Sequence, residues 1–350
     1  MRLDSLLRDA AFRALGRLMP VGGNPLAARR LLVLRHDRIG DMLMTTGLLR
    51  ELKRARPEME IDVAASAANA DVLRDNPAVR KVHVVSAGGA GYRAARELFV
   101  PERYDAVIDG FALKPRVNTS MALMLLAAQS PVRVGIGRRA HDFLYTHRVR
   151  PLRDDAHHVE YLGALAAPFG VNPGVTDFSP ELVRSAVEKE HAEAFWAGVP
   201  GTGPRLLVNV SSGESWRRWP DERFVAVLRA MRETRPDVRV AVSAAPGERA
   251  SARAIAAAVH GVALDASLRD ALAVVGAAEL VLTPDTSIAH AAAAARVRSV
   301  VMYPSSVMAQ FEPYRAVGTV VRTEAATLMG MAVAVVWEAL RGELGKVPSP

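Results

Sequence analysis

The sequence contains no cysteine, which excludes disulfide bonds, thiol catalysis and metal sites built from cysteine. No apolar run approaches the roughly 18 uncharged residues that a membrane-spanning helix needs. The first segment carries Asp4 and Asp9, where a secretory signal would need a continuous apolar stretch. We therefore expect a cytoplasmic protein.

The chain is long enough for one large domain or two ordinary ones, since it has 350 residues of which half are hydrophobic. Its formal net charge is +8. A positive balance of this size favours acidic partners, which are nucleotide phosphates, nucleic acid or an anionic membrane surface.

Short apolar runs alternate with helical patterns in two blocks, which is typical of βαβ units around a parallel sheet. The strands predicted in the first block are 31–35, 61–64, 82–85, 106–109 and 133–136, and those of the second block are 206–210, 238–242, 280–282 and 300–303. The Gly- and Pro-rich stretch 198–204 predicts the entry into a second domain. Two doubly wound domains would bind ligands where their strands end, because open α/β sheets bind at the carboxyl ends of the strands.

Four polar turns follow predicted strands, at 36–41, 211–218, 244–248 and 284–287. None of them matches G-x-G-x-x-G or the G-x-x-x-x-G-K-[ST] loop, which disfavours a dinucleotide-dependent dehydrogenase and a P-loop NTPase.

The most informative turn is Asp285-Thr286-Ser287, between an apolar strand and an alanine-rich helix that includes His290. Free N–H groups and the helix dipole make a helix start favourable for an anion, and two hydroxyls add donors. A diphosphate suits such a turn. The alternative is an ordinary strand-to-helix turn in which Thr286 or Ser287 caps the helix.

The first turn ends in Gly40-Asp41, just before a helix predicted from about Met42 to Ala55. Asp41 can serve as a general base that takes a proton from a sugar hydroxyl. The alternative is that its carboxylate only caps the helix, which is worth roughly 0.5–2 kcal/mol.

The turn after the first strand of the second block runs Ser211-Ser212-Gly213-Glu214-Ser215-Trp216-Arg217-Arg218-Trp219-Pro220. Arginine suits phosphate because its planar group offers paired, permanently charged donors. We favour Arg217 as a ligand contact over a surface arginine. Trp219 and Pro220 suit a structural role at the start of the next helix.

These turns resemble those of glycosyltransferase family 9, the ADP-heptose:lipopolysaccharide heptosyltransferases, over roughly residues 30 to 340. The motifs that carry the resemblance are Leu32-Val33-Leu34-Arg35, Ile39-Gly40-Asp41, Thr45-Thr46, Lys53-Arg54-Ala55-Arg56-Pro57, Arg217-Arg218-Trp219-Pro220 with Phe224, and Asp285-Thr286 with His290. The resemblance implies a GT-B fold, in which two Rossmann-like domains face each other across a cleft. It also implies inverting transfer from a nucleotide-sugar, with no essential metal or other cofactor and no nucleic-acid partner.

By position in the family, Asp41 is the expected base. The expected donor contacts are Ser212, Gly213, Arg217, Ala266, Asp285, Thr286, Ser287 and His290, with the backbone around Ala266 along the adenine. The expected acceptor contacts are Arg38, Lys114, Arg138 and Arg139. The family usually has glycine where Ser287 stands, and often lysine where Arg217 stands.

The first thirty residues extend beyond the usual start of the family. Their leucines follow helical spacing, and most of their arginines lie off that stripe. Such a basic amphipathic helix can lie on an anionic membrane, which here would be the inner face of the inner membrane. The alternative is an extra helix that packs on the domain.

We therefore expect an N-terminal extension at 1–30, an acceptor-binding domain at 31–175 and a donor-binding domain at 176–350, with the last helix returning to the first domain. The expected function is transfer of a heptose or related sugar from an ADP-sugar to a lipopolysaccharide core or related glycan. Two alternatives remain open: a nucleotide-sugar 2-epimerase on the same fold, and a non-catalytic protein that binds nucleotide-sugar or glycolipid.

Overall fold

The computed structural model describes residues 3–86, 88–111, 118–137, 142–151, 153 and 155–347. Contacts divide the chain into two compact units, Met1–Pro180 and Glu181–Pro350. The predicted domain boundary after residue 175 lies five residues before this division.

The first unit is a six-stranded parallel sheet in the order β3-β2-β1-β4-β5-β6, with helices between the strands. Its strands are β1 Arg30–Arg35, β2 Glu60–Ala65, β3 Lys81–Val84, β4 Ala106–Asp109, β5 Val132–Ile136 and β6 His147–Val149. Its helices are α1 Leu3–Arg17, α2 Ile39–Ala55, α3 Gly88–Phe99, α4 Thr119–Ala128 and α5 His158–Ala164.

The second unit is also a six-stranded parallel sheet, in the order β12-β11-β10-β7-β8-β9. Its strands are β7 Arg205–Asn209, β8 Arg239–Ser243, β9 Val262–Leu264, β10 Leu280–Pro284, β11 Arg298–Pro304 and β12 Gly318–Thr323. Its helices are α6 Ala186–Ala197, α7 Asp221–Thr234, α8 Arg249–Ala258, α9 Leu268–Val275, α10 Ser287–Ala294 and α11 Val333–Leu344.

Numbered along each unit, both sheets have the strand order 3-2-1-4-5-6 of a doubly wound fold. In each, the order reverses between the first and fourth strands, which are β1 and β4 in one unit and β7 and β10 in the other. The connections diverge at such a switch point, so the strand ends there leave room for a ligand. The polar turns after β1, β7 and β10 all lie at these two points.

The central strands are apolar because helices cover both faces of a parallel sheet. Leu31 to Leu34 of β1 are completely buried, and so are Leu206 to Val208 of β7. Each fully buried side chain of this size stabilises the fold by about 1.5–3 kcal/mol. Helix α2 also packs closely on the chain at Phe178, since a Cβ on Gly47 would lie 2.0 Å from the Phe178 carbonyl oxygen.

Several sequence predictions need correction. Helix α2 begins at Ile39, so Asp41 lies in its first turn and not in the loop before it. The strands β6, β9 and β12 were not predicted, because each is short or half exposed. Helix α11 packs on α7, β11 and β12 of the second unit.

Helix α1 packs on the first unit through one face. Phe12 is buried in the core, and the Arg13 guanidinium lies 4.2 Å from the centre of the Phe143 ring. Gly16 faces Leu144 so closely that an added Cβ would lie 2.7 Å from it. Beyond this face, Leu15 and Leu18 remain 48% and 82% exposed. Among the described residues, no helix combines the length and apolar character needed to cross a membrane.

Candidate functional site

Arg35 is the centre of the switch point in the first unit. It is the last residue of β1, its side chain is completely buried, and its Nε donates to the Asp41 carbonyl at 3.0 Å. Its Nη1 donates to the Gly110 carbonyl after β4 and lies 3.4 Å from the Asp37 carboxylate. Its Nη2 lies 3.2 Å from the Asp41 carboxylate and 3.0 Å from His158 Nε2. One buried cation therefore holds the turn after β1, the turn after β4 and helix α5.

The Asp41 carboxylate does not cap helix α2. The N-cap position is Arg38, which makes no side-chain capping bond, and Asp41 is the acidic residue of the first turn. Its side chain is 16% exposed and is paired with Arg35. Pairing with the Arg35 guanidinium fixes the orientation of this carboxylate. The arrangement suits a positioned base that remains reachable from solvent.

His36, in the turn between β1 and α2, is a neutral imidazole. Burial lowers the pKa of His36 to about 4, opposed by the nearby charge of Asp109 and reinforced by that of Arg35. Its Nε2 is 2.9 Å from Ser120 Oγ, and its ring lies 4.6 Å from that of Phe111. Its Nδ1 is buried with no partner among the described residues.

The structure describes only one of the four expected acceptor contacts. Arg38 is exposed at the start of α2. Lys114, Arg138 and Arg139 lie outside the described residues.

Asn209 joins the two turns at the switch point of the second unit. It ends β7, and its Nδ2 donates to Thr283 Oγ1 at 3.0 Å and to Thr286 Oγ1 at 3.1 Å. Its Oδ1 accepts from Ser211 Oγ at 3.0 Å, and Ser211 Oγ accepts in turn from the Ala245 amide after β8. The ends of three strands are thus fixed by neutral hydrogen bonds.

Helix α10 begins at Ser287, with Thr286 as its N-cap. Thr286 Oγ1 accepts from the Ile288 amide at 3.3 Å, so the capping alternative holds for Thr286. A capped start still leaves other first-turn N–H groups free of helical partners, and anion binding remains compatible with the cap. Ser287 is half-buried, and His290 is buried one turn further along.

Arg217 and Asp285, both expected donor contacts, contact each other. Arg217 Nη1 lies 2.8 Å from the Asp285 carboxylate, and the guanidinium lies 4.4 Å from the Trp216 ring centre. Arg217 Nε is buried and has no partner among the described residues. An unpaired buried N–H is costly, and an acceptor-rich guest such as phosphate would satisfy it.

The neighbours of Arg217 have structural contacts, as expected for Trp219. The Trp219 indole is completely buried and donates to the Met331 carbonyl at 3.0 Å. Arg218 turns to a different set of partners, with Glu248 at 2.8 Å, Ser251 at 3.1 Å and Asp221 at 3.2 Å.

Three other expected donor contacts, Ser212, Gly213 and Ala266, make no contact with Arg217 or Asp285 among the interactions described above. Ser212 Oγ donates to the Glu214 carbonyl at 2.7 Å, so it must rotate before it can reach a phosphate. Gly213 is exposed, with open space around its Cα. The Ala266 carbonyl accepts from Arg249 Nη2 at 3.0 Å, which occupies part of the backbone expected along the adenine.

One cluster of possible metal ligands, Asp62, His83 and Glu102, brings its ligand atoms within 4.8 Å of one another. Arg80 and Lys81 already pair with its two carboxylates, and Tyr104 donates to Asp62 at 2.6 Å. Since the negative charges are balanced by cations, the cluster is an ion-pair network in this structure.

Sequence reasoning did not assign a role to Arg35, His158, Asn209 or Tyr303. Arg35, Asn209 and Tyr303 stand at or near the end of a buried strand, where a lone polar residue after an apolar run was a usable signal. His158 contacts Arg35 across 123 positions of the chain, and no local motif indicates that contact.

Two doubly wound parallel sheets, with a carboxylate at one switch point and a helix start that suits an anion at the other, are features of glycosyltransferases of the GT-B fold. The family model "Glycosyltransferase family 9 (heptosyltransferase)" matches residues 93–329, more than half of the chain. The chain belongs to glycosyltransferase family 9, as its motifs indicated.

Solved structures agree on the fold. The family 9 glycosyltransferase from Veillonella parvula superposes with a TM-score of 0.78 at 20% identity, covering 92% of this chain and 99% of that chain. The E. coli heptosyltransferase WaaC with ADP-2-deoxy-2-fluoro heptose gives 0.71 at 21% identity, covering 89% and 99%. A UDP-GlcNAc 2-epimerase from Neisseria meningitidis gives a lower TM-score of 0.54 at 11% identity, covering 89% and 90%.

Among curated proteins, the chain is similar to lipopolysaccharide heptosyltransferase 3 of E. coli (strain K12), with 22% identity over 204 residues. The match covers 55% of this chain and 57% of that protein, so it spans little more than half the length of either.

Proposed function

We propose that the protein is an inverting transferase that moves a heptose or related sugar from an ADP-sugar to a lipopolysaccharide core or related glycan. The observation that carries this proposal is the Asp41 carboxylate, which is fixed by Arg35 and not used as a helix cap. A non-catalytic binding protein has no need of a positioned base. The ADP and ADP-heptose analogue in related structures support the choice of nucleotide-sugar.

In the proposed reaction, an acceptor hydroxyl attacks the anomeric carbon while Asp41 takes its proton. The bond from that carbon to the diphosphate oxygen breaks, and ADP leaves with the bonding electrons. Arg217, Ser212, Thr286, Ser287 and the start of α10 stabilise the charge that develops on the leaving group. Asp285 and His290 contact the donor sugar side of the same turn.

Incubation of the purified protein with ADP-heptose, with and without a lipid A–core acceptor, tests this proposal. A transferase releases ADP and extends the acceptor only when both substrates are present. Release of free sugar and ADP without an acceptor would favour the epimerase-like alternative. Binding of ADP-heptose without turnover in either condition would favour the binding protein.

We also infer that the N-terminal segment contacts an anionic membrane. From Ala10 to Arg30 the sequence has four arginines and no acidic residue. Leu18 and Val21 are 82% and 74% exposed at the end of α1. A large exposed apolar pair in a basic segment suits a surface with an apolar interior and anionic headgroups.

Co-sedimentation with phosphatidylcholine vesicles, with and without phosphatidylglycerol, tests the membrane contact. We expect binding to the anionic vesicles, lost on addition of salt and in Leu18→Glu. Val175→Glu is the matched control, because Val175 is 83% exposed outside the basic segment. Equal loss in both variants, or no binding to anionic vesicles, would contradict the inference.

A further inference from the structure

Tyr303, in the second unit, is a buried phenol whose hydroxyl has no hydrogen-bond partner among the described residues. Its ring is completely buried against Ala289 and Val301, and the Arg322 guanidinium lies 5.2 Å from the ring centre. A phenylalanine would fill the same space without burying an unpaired hydroxyl, which costs roughly 1–3 kcal/mol. The hydroxyl therefore needs an explanation beyond packing.

The charged group next to this hydroxyl is Asp285. Strand β11 pairs with β10 so that the Asp285 amide donates to the carbonyl of Met302, the residue before Tyr303, at 3.1 Å. Burial raises the pKa of the Tyr303 hydroxyl, and the nearby Asp285 carboxylate raises it further. The phenol is thus a neutral donor beside a nearly buried carboxylate.

Asp285 contacts Arg217 in this structure, at 2.8 Å. The proposed function assigns Arg217 to the donor diphosphate, whose charge competes with Asp285 for the guanidinium. When Arg217 turns toward the diphosphate, the Asp285 carboxylate loses this contact while its side chain is only 8% exposed. A carboxylate at such a site is stabilised by each further hydrogen bond that it accepts.

We propose that Tyr303 is a positioning residue for the donor sugar: its hydroxyl donates to the Asp285 carboxylate in the donor-bound protein and holds that carboxylate toward the sugar hydroxyls. This proposal rests on the proposed function, since it takes Asp285 as a contact of the donor sugar.

Tyr303→Phe tests the proposal, because it removes the hydroxyl and keeps the ring. Calorimetry should show affinity for ADP-heptose reduced about tenfold, the effect of one hydrogen bond to a charged group. Affinity for ADP should change less than about twofold, since ADP lacks the heptose that Asp285 is proposed to contact. In turnover, KM for the donor should rise more than kcat falls.

Stability of the ligand-free protein supplies a readout that separates this role from a structural one. Tyr303→Phe should leave the free energy of unfolding unchanged or raise it, because it removes an unpaired buried group. Tyr104→Phe is the matched control: its hydroxyl donates to Asp62 at 2.6 Å, so its loss should lower stability and leave donor affinity unchanged.

Three results would overturn the proposal. Unchanged ADP-heptose affinity in Tyr303→Phe would show that the hydroxyl is idle, and equal losses for ADP and ADP-heptose would show that it only shapes the site. Destabilisation of the ligand-free variant would show that the hydroxyl is already bonded there. If the unaltered protein binds neither ADP nor ADP-heptose, the proposed function itself fails, and the role of Tyr303 fails with it.

Discussion

The two switch points of this molecule occupy equivalent places in two sheets of the same strand order, and their chemistry is opposite. In the first unit, one buried guanidinium, Arg35, lies within 3.4 Å of two carboxylates. In the second unit, Asn209 joins the hydroxyls of Ser211, Thr283 and Thr286 by neutral hydrogen bonds. The first arrangement fixes negative charge in place, and the second leaves donors ready for negative charge that arrives with a ligand.

This difference shows what the fold determines and what the side chains determine. A doubly wound sheet determines where a ligand can bind, because only the switch point leaves space at the strand ends. Whether that ligand is a proton donor or an anion depends on a few residues after the first and fourth strands. Arg35 and Asn209 hold equivalent positions at the ends of β1 and β7. Arg35 fixes its neighbours through its positive charge, and Asn209 fixes its neighbours through neutral hydrogen bonds.

The largest expected effect is that of a substitution at Asp41, in the first unit. Asp41→Asn keeps the size of the side chain and removes its charge, so it should lower turnover by about 10²–10⁴-fold, the usual contribution of a general base. ADP affinity should hardly change, because the expected donor contacts belong to the second unit. Turnover measured with saturating ADP-heptose and acceptor, together with calorimetry of ADP, checks both halves.

Asp37→Asn is the control for Asp41→Asn, since Asp37 also contacts Arg35. If both variants lose turnover equally, the charge balance around Arg35 matters and Asp41 has no special role as base. Normal turnover in Asp41→Asn would refute the assignment outright.

The next largest expected effect is that of a substitution at Arg217, in the second unit. Arg217→Ala should weaken ADP binding by about 1.5–3 kcal/mol, the range for hydrogen bonds to a charged group. It should also slow transfer, because the leaving diphosphate gains charge in the transition state. Calorimetry of ADP measures the first effect, and the acceptor-dependent release of ADP measures the second.

Arg218→Ala is the matched control for Arg217→Ala. Its guanidinium is held by Glu248, Ser251 and Asp221, so its loss should not change ADP affinity. A larger loss of affinity in Arg218→Ala than in Arg217→Ala would show that the two adjacent arginines have been assigned the wrong way round.

The sequence was sufficient for the fold class, because apolar runs separated by helical patterns indicate parallel strands wherever the strands are buried on both faces. It failed for the half-exposed edge strand β12, which has no such run. Motifs of a few residues each were enough to predict a base and the donor turns. It could not find the partnership of Arg217 with Asp285, which joins positions 68 residues apart, or the unpaired hydroxyl of Tyr303. Such contacts depend on the order of the strands in the sheet and cannot be inferred from the spacing of residues along the sequence.

The smallest expected effect concerns a single hydroxyl in the donor turn. Ser287 opens helix α10 next to the capping Thr286, at a position where the family usually has glycine. Its side chain must either avoid a bound diphosphate or bond to it. We expect a bond, because the start of this helix already gathers donors for an anion.

Ser287→Gly should therefore weaken ADP binding by about 0.5–1.5 kcal/mol, the net value of one ordinary hydrogen bond. Part of any change in protein stability would come from the greater freedom of glycine in the unfolded chain, so affinity must be measured well below the unfolding temperature. Both forms should be compared by calorimetry at one salt concentration, since ADP is charged and salt screens its attraction. Ser287→Ala separates the two causes, because it removes the hydroxyl and keeps the Cβ. If the glycine form binds ADP more tightly and the alanine form does not, Ser287 crowds the diphosphate and the expected bond is wrong.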